Sequence, residues 1–370
     1  MKNIILIDDL SNKGWKSVLE KSVVNVAGQI NDYSTYDSAL KGIATKADLI
    51  FLDVRLTEED HKKNNICDFS GFQILQRIKK DFLSPNFSTP IILLTASNKI
   101  WVIEEFKQYG IDAFYIKEHP DYGVSKEYSR ENLERLQSCF LSLIPKGEKR
   151  YEVWNESKEI IDKLNNHKYF NESSGYVIVK NRIIDKLKLS YANLFCEQLQ
   201  IEKLTLKADN QSLAFIIYWS ILEEIVKGYS EKNNWDKNNS YAFSGQWRFR
   251  NNKSFIQKDS NKLTVNPFWD IDNKKYIERE IDSLDKEYNK YLKGYINLSE
   301  QVYALLYLFG IDEKKTFKNL NEFRNEIDYI HSSISSIFKE PLISVDLQEK
   351  SFNNIIKTLK LINIILNYPK

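Results

Sequence analysis

A chain of 370 residues is longer than one ordinary hydrophobic core organises, so two or three domains are expected. Lysine and arginine total 53 against 51 aspartate and glutamate, and a net charge of +2 over 28% charged residues excludes a bulk electrostatic footprint for DNA or an anionic membrane; any nucleic-acid binding must be local. The three cysteines, Cys67, Cys139 and Cys196, lie in no metal-like spacing and read as reduced thiols. The apolar stretch after Met1-Lys2-Asn3 stops at Asp8, too soon for a signal peptide, and no later run approaches membrane-spanning length, so no membrane association is expected and the cytoplasm is the expected compartment.

From the N-terminus, short apolar blocks read as strands: Ile4 to Ile7, Val23 to Val26, Leu49 to Leu52, Ile91 to Leu94 and Ala113 to Ile116. Helical patterns alternate with them, among them Gly71 to Phe82, Lys99 to Gln108 and Ser129 to Leu143, which is the alternation of a doubly wound sheet. The charged run Pro145-Lys146-Gly147-Glu148-Lys149-Arg150 reads as a linker or hinge. Beyond it apolar residues recur three and four apart in Val153 to Leu164, Ile183 to Leu199, Leu213 to Val226, Ile277 to Tyr291, Leu298 to Phe309, Phe317 to Ile334 and Phe352 to Leu366. Between Lys232 and Asn273 the pattern lapses into a polar stretch carrying Trp235, Trp247 and Trp269 with Arg248, Arg250, Lys253 and Lys258, expected to be a long loop or small hairpin inserted into a helical bundle.

Chemistry gathers at the strand ends. Asp8 and Asp9 follow the first strand, Asp53 the Leu49 block, Thr95 the Ile91 block and Lys117 the last block. In open parallel sheets such residues meet at one edge. Two adjacent carboxylates and a third one strand away make an oxygen-rich corner suited to Mg²⁺. On these residues Met1 to about Pro145 resembles a response-regulator receiver domain. The resemblance implies that Asp8, Asp9 and Asp53 hold Mg²⁺, that Asp53 accepts a phosphoryl group from a sensor histidine kinase or a small phosphodonor, that Thr95 senses it and that Lys117 bridges to it. Tyr115 matches the aromatic that turns inward when the hydroxyl residue moves. Two departures stand out. Val54-Arg55-Leu56 and the polar run Thr57 to Asn65 replace the family's Met-Pro, and Lys117 is followed by Glu118-His119-Pro120 instead of directly by Pro.

In the second half, Arg324 and His331 are seven positions apart, so on a helix they share a face with Asp328 between them. The segment Phe323-Arg324-Asn325-Glu326-Ile327-Asp328-Tyr329-Ile330-His331 resembles the Arg-polar-X-His signature of HEPN domains, and the resemblance extends over about Arg182 to Lys370. It implies a metal-independent endoribonuclease, needing no cofactor for RNA cleavage, with Arg324, Asn325 and His331 as catalytic residues and two domains paired in a homodimer. Read on its own chemistry, the same spacing also fits an ordinary helix histidine and an Arg324–Asp328 pair four apart. Glu223 and Glu224 lie inside an apolar helical pattern; one of them either faces protein, with Arg324 as its partner, or both belong to a solvated face.

The expected architecture is an α/β doubly wound (βα)5 receiver domain over 1–145, a linker and connecting helix over 146–180, and an all-α HEPN-like bundle over 181–370 with a polar insertion around 232–273. The expected function is a response regulator controlling an RNA-cleaving output, which the fusion by resemblance alone links to stress or defence. The alternative keeps the receiver and makes the helical domain a catalytically inactive dimerisation or protein-binding module. A DNA-binding transcription factor is disfavoured, because no helix-turn-helix with a basic recognition helix stands out.

Overall fold

The computed structural model describes residues 2–23, 27–96, 100–117, 125–195, 210–230, 246–248, 255–259, 262–270, 275–281, 298–336 and 345–368. The chain divides into two compact units, Met1–Trp154 and Asn155–Lys370.

The first unit is built on strands β1 (Lys2–Ile7), β2 (Ala27–Tyr33), β3 (Leu49–Asp53), β4 (Ile91–Thr95) and β5 (Ala113–Ile116). They form one parallel sheet in the order β2-β1-β3-β4-β5. Helices α1 (Trp15–Val23), α2 (Tyr36–Gly42), α3 (Ser70–Lys79), α4 (Ile100–Gln108) and the first part of α5 (Lys126–Asn166) complete it. Successive strand side chains point to opposite faces, and both faces are covered. Ile5, Ile7, Ile50, Leu52, Ile91 and Leu93 therefore join a core with Phe72, Leu75, Ile78 and Phe106 of α3 and α4. Ile4, Leu6, Leu49, Phe51, Ile92 and Leu94 join a second core with Leu19 of α1 and Leu136, Phe140 and Leu143 of α5. This double coverage is why the central strands read as unbroken apolar runs.

Two expectations need correction here. The second strand is not Val23–Val26: Val23 closes α1, and the strand is Ala27–Tyr33. Trp15, Leu19 and Val23 are spaced four apart and carry the helix through the valines, whereas the edge strand, with a neighbour on one side only, has a polar sequence that hides it. Nor is there a break at Pro145–Arg150, because α5 runs through it with Pro145 inside. An interior proline removes one hydrogen bond and crowds the preceding turn at a cost of about 3 kcal/mol. The packing that offsets this is local to the unit. A Cβ on Gly147 would lie 2.7 Å from Pro90, so only glycine lets α5 lie this close to β4's entrance. Arg150 bonds Asp112, and the Trp154 indole donates to the Phe82 carbonyl at 2.6 Å.

The second unit contains the last part of α5, then α6 (Lys168–Asn171), α7 (Ser174–Phe195), α8 (Asn210–Tyr229), α9 (Leu298–Leu308), α10 (Lys314–Ser336) and α11 (Val345–Ile365). Helix α8 is its centre: Tyr218, Leu222 and Ile225 are buried, Trp219 stacks on Phe317 at 5.5 Å, and Phe215 meets Phe323 edge-on at 5.0 Å. The unit is helical, but not all-α as expected. Strands β6 (Gln246–Arg248), β7 (Phe255–Asp259), β8 (Lys262–Asp270) and β9 (Lys275–Ile281) form an antiparallel sheet in sequence order, where a loop or hairpin was expected. The Ile277–Tyr291 helix is likewise replaced, up to Ile281, by strand β9. Ile277 and Ile281 fit a helical period, and pairing of Leu263 with Ile281 and Phe268 with Ile277 decides the matter. Trp235, Arg250 and Lys253 lie outside the described residues. Among the described residues, no helix is long and apolar enough to cross a membrane.

Candidate functional site

The strand order reverses direction between β1 and β3, which leaves a crevice at the carboxyl ends of these two strands. Asp8 follows β1, Asp53 ends β3, Thr95 ends β4 across from Ile116, and Lys117 follows β5. The backbone N–H of Lys117 donates to the Thr95 carbonyl at 2.7 Å, which fixes where the lysine departs from the sheet. Asp8, Asp53, Thr95, Tyr115 and Lys117 are all buried, and Asp9 is half-buried.

Four of the strand-end residues, Asp8, Asp9, Asp53 and Lys117, come together by their side chains, and Thr95 adjoins them through its carbonyl. The Lys117 ammonium bonds Asp53 Oδ2 and lies 2.7 Å from Asp8 Oδ2. Burial works against the lysine's charge, but Asp53 and Asp8 outweigh it and hold its pKa above the ordinary lysine value. Burial drives the Asp53 carboxyl upward; Lys117 opposes the rise, and Asp8 and Asp9 add to it. Asp9 is raised as well, by burial first and then by Asp8. Three acids against one cation thus leave an excess of negative charge in a low-dielectric corner, which a cation of high charge density relieves.

The residues fit Mg²⁺. Asp8, Asp9 and Asp53 each offer a carboxylate oxygen, and these atoms lie within 4.8 Å of one another. Ligand oxygens at about 2.1 Å from one ion are separated by roughly 3 to 4 Å, so one cation can reach all three.

The enlarged loop after Asp53 is ordered by a residue the sequence did not single out. Asp60 is fully buried; its carboxylate accepts from the Leu56 N–H at 3.1 Å, from the Ser70 hydroxyl and N–H, and from the Lys63 ammonium at 2.7 Å. Two ends of the loop are thereby tied to one carboxylate. Gly71 closes the arrangement, since a Cβ there would collide with the Asp53 and Val54 carbonyls. Trp15 was also missed. Its ring lies 5.5 Å from the Lys117 ammonium and edge-on to Tyr115 at 6.0 Å. The signals were present as Asp-x9-Ser-Gly and as an aromatic opening the helix after the acid pair, but neither has meaning until the strand ends are assembled.

In the second unit, Arg324 lies on α10 half-buried, and its guanidinium donates to the exposed Asn325 at 3.3 Å. Asp328 and His331 belong to the same helix, but their side chains lie outside the described residues. Glu224 is the buried acid of its pair, and its partners are Lys186 at 3.2 Å and Lys227 at 3.3 Å instead of Arg324.

No family model matches the chain and no curated protein matches it. Among solved structures, the N-terminal region resembles response-regulator receiver domains. A signal receiver domain from Vibrio parahaemolyticus is 20% identical, with a TM-score of 0.30 over 40% of this chain and 92% of that one. A receiver domain protein from Methanospirillum hungatei is 18% identical, with a TM-score of 0.27 over 37% of this chain and 94% of that one. A two-component response regulator from Clostridium difficile is 20% identical, with a TM-score of 0.27 over 38% and 96%.

Proposed function

We propose that the chain is a response regulator whose first unit, Met1–Trp154, accepts a phosphoryl group on Asp53, and whose second, mainly helical unit, Asn155–Lys370, is a HEPN-type endoribonuclease under its control. The observation that carries the first half is the Lys117 ammonium held between Asp53 and Asp8, beside a third acid, at the carboxyl end of a parallel sheet. In the transfer, a carboxylate oxygen of Asp53 bonds to the donor's phosphorus as the donor's own bond to phosphorus breaks, and the leaving group carries off the electron pair. Asp8, Asp9 and Asp53 would hold Mg²⁺, which would supply positive charge to offset that of the phosphoryl oxygens. Lys117 exchanges a carboxylate partner for one of those oxygens, the Thr95 hydroxyl donates to another, and Tyr115 follows Thr95 inward. The phosphoryl source is a sensor histidine kinase or a small phosphodonor.

For the output, the spacing of Arg324 and His331 on one helix supports convergence of a guanidinium and an imidazole on one phosphate. The RNA 2′-oxygen bonds to phosphorus as the bond to the 5′-oxygen breaks, leaving a cyclic phosphate and a 5′-hydroxyl. His331 moves a proton, Arg324 stabilises the phosphorane oxygens and Asn325 positions the phosphate. One histidine cannot serve both sides of an in-line displacement, so the domain works as a homodimer. A second reading, in which the helical unit is a catalytically silent dimerisation or protein-binding module, draws support from the apolar side chains Ile178 and Leu189 exposed on α7.

The test has two arms. Asp53→Asn abolishes labelling by a small phosphodonor with Mg²⁺, and Asp9→Asn weakens it strongly; labelling that persists in Asp53→Asn moves the site elsewhere. Wild type cleaves total RNA in EDTA, and His331→Ala and Arg324→Ala each lose at least about 100-fold. Cleavage that EDTA stops and both variants retain overturns the HEPN mechanism in favour of another chemistry.

A further inference from the structure

Helix α7 has two faces of opposite character. Tyr176, Val179, Ile183, Leu187 and Tyr191 are buried within the second unit. On the other side, Ile178 is 51% and Leu189 52% exposed, large values for aliphatic side chains in a folded unit. Between them on the same side are Arg182 and Asp185, both exposed. At 100° per residue, positions 178, 182, 185 and 189 fall within about 60° of one another. Their separations of four, three and four are those of a seam between paired helices.

The order of residue types along this seam carries the inference. If α7 meets an antiparallel copy of itself about a two-fold axis between residues 183 and 184, position i faces position 367 − i. Ile178 then faces the Leu189 of the second copy, and Arg182 faces its Asp185. Every apolar residue of the seam meets an apolar one, and every charge meets its opposite, twice over by symmetry. A parallel pairing in register would instead set Arg182 against Arg182 and Asp185 against Asp185. Among the described residues neither Arg182 nor Asp185 has an ion-pair partner.

The geometry points to a second copy of this chain as the occupant of the α7 face, docked antiparallel through Ile178, Arg182, Asp185 and Leu189. This deepens the second reading of the helical unit, a dimerisation module, by naming its surface, and it rests on that reading and not on RNA cleavage, because α7 carries neither Arg324 nor His331. Because the four side chains point away from the unit's core, substitutions there leave the fold intact, which circular dichroism verifies.

Sedimentation equilibrium of the full chain tests it. Wild type shows a concentration-dependent monomer–dimer equilibrium, and Arg182→Asp or Asp185→Arg alone, each setting like charges face to face, weakens the dimer by at least about 10-fold. The double variant Arg182→Asp/Asp185→Arg restores opposite charges and recovers affinity to within a few-fold of wild type. Leu189→Lys weakens the dimer and is not rescued by either charge reversal. A dimer that both single reversals leave unchanged, or that the double variant fails to restore, overturns the α7 surface while leaving a homodimer standing. A wild-type chain that stays monomeric at every concentration overturns both.

Discussion

The Lys117 ammonium lies 5.5 Å from the centre of the Trp15 ring, so the cation that bonds Asp53 also sits against an indole at the start of α1. The same ring touches Tyr115. Any event that draws Lys117 toward a new oxygen, or turns Tyr115, changes the electrostatic field at Trp15. Addition of Mg²⁺ and phosphodonor therefore alters tryptophan emission, and the response disappears in Trp15→Leu even though the chain's other tryptophans remain. Loss of the cation–π contact also slows labelling of Asp53 by roughly 2- to 5-fold. An emission change that survives the substitution places the reporting residue elsewhere.

Asp60 is the loop residue whose replacement is most damaging. Burial tends to raise its carboxyl, yet bonds from Lys63, Ser70 and Leu56 hold its pKa below the ordinary aspartate value. A carboxyl depressed in the folded state stabilises the fold above its unfolded pKa, and that contribution disappears as pH falls through the folded value. Asp60→Ala leaves the Leu56 N–H without that acceptor and frees both ends of the loop. It costs roughly 2 to 4 kcal/mol at neutral pH by urea denaturation, with the difference from wild type shrinking in acid.

The sheet and its acid corner were legible because β1, β3 and β4 are apolar runs buried on both faces, and these strands and β5 give way to a charged or hydroxyl residue, so Asp8, Asp53, Thr95 and Lys117 announced their own positions. Strand β2 was misplaced because an edge strand needs no apolar run. Pro145 misled for a related reason: its local preference for a break is overridden by Gly147 against Pro90 and Arg150 on Asp112, contacts between residues far apart in sequence. Strand β9 carries Ile277 and Ile281 at a spacing that serves helix and strand alike. Trp15 and Asp60 were invisible as site residues because their roles exist only in the packed loop and helix around Asp53.

Lys46 gives a pH-dependent signature in the alkaline range. Its ammonium donates to the Ala47 carbonyl and to Thr89 at 3.2 Å, and lies 4.8 Å from the Tyr151 ring centre. Burial lowers its pKa from 10.5 to about 8, with Asp48 opposing the fall. Between these values the unfolded chain binds the proton more firmly than the folded one, so stability rises with pH through the window from 8 to 10.5. Below it both states are protonated and the contribution is constant. Measured by urea denaturation, the stability of wild type minus that of Lys46→Met increases by roughly 1 to 3 kcal/mol across the window. A flat difference shows that Lys46 retains an ordinary pKa.

The final prediction concerns what phosphorylation changes. A modification shifts a two-state equilibrium only by the difference in its interaction with the two states, which for coupled sites amounts to about 1 to 3 kcal/mol. If the proposed function holds, control of the helical unit by Asp53 is graded, and phosphorylated and unphosphorylated protein are expected to differ in RNA cleavage rate or dimer affinity by roughly 5- to 150-fold. Thr95→Ala shrinks that difference and leaves basal cleavage unchanged, since Thr95 ends β4 in the first unit, whereas Arg324 and Asn325 belong to α10 in the second. Asp53 in the variant still accepts the phosphoryl group, because Lys117 and the three acids it faces remain in place. Cleavage and sedimentation are measured against protein concentration, with and without phosphodonor. Superimposable curves in both measurements assign the receiver another output, such as recruiting a protein partner, and favour the binding-module reading of the helical unit.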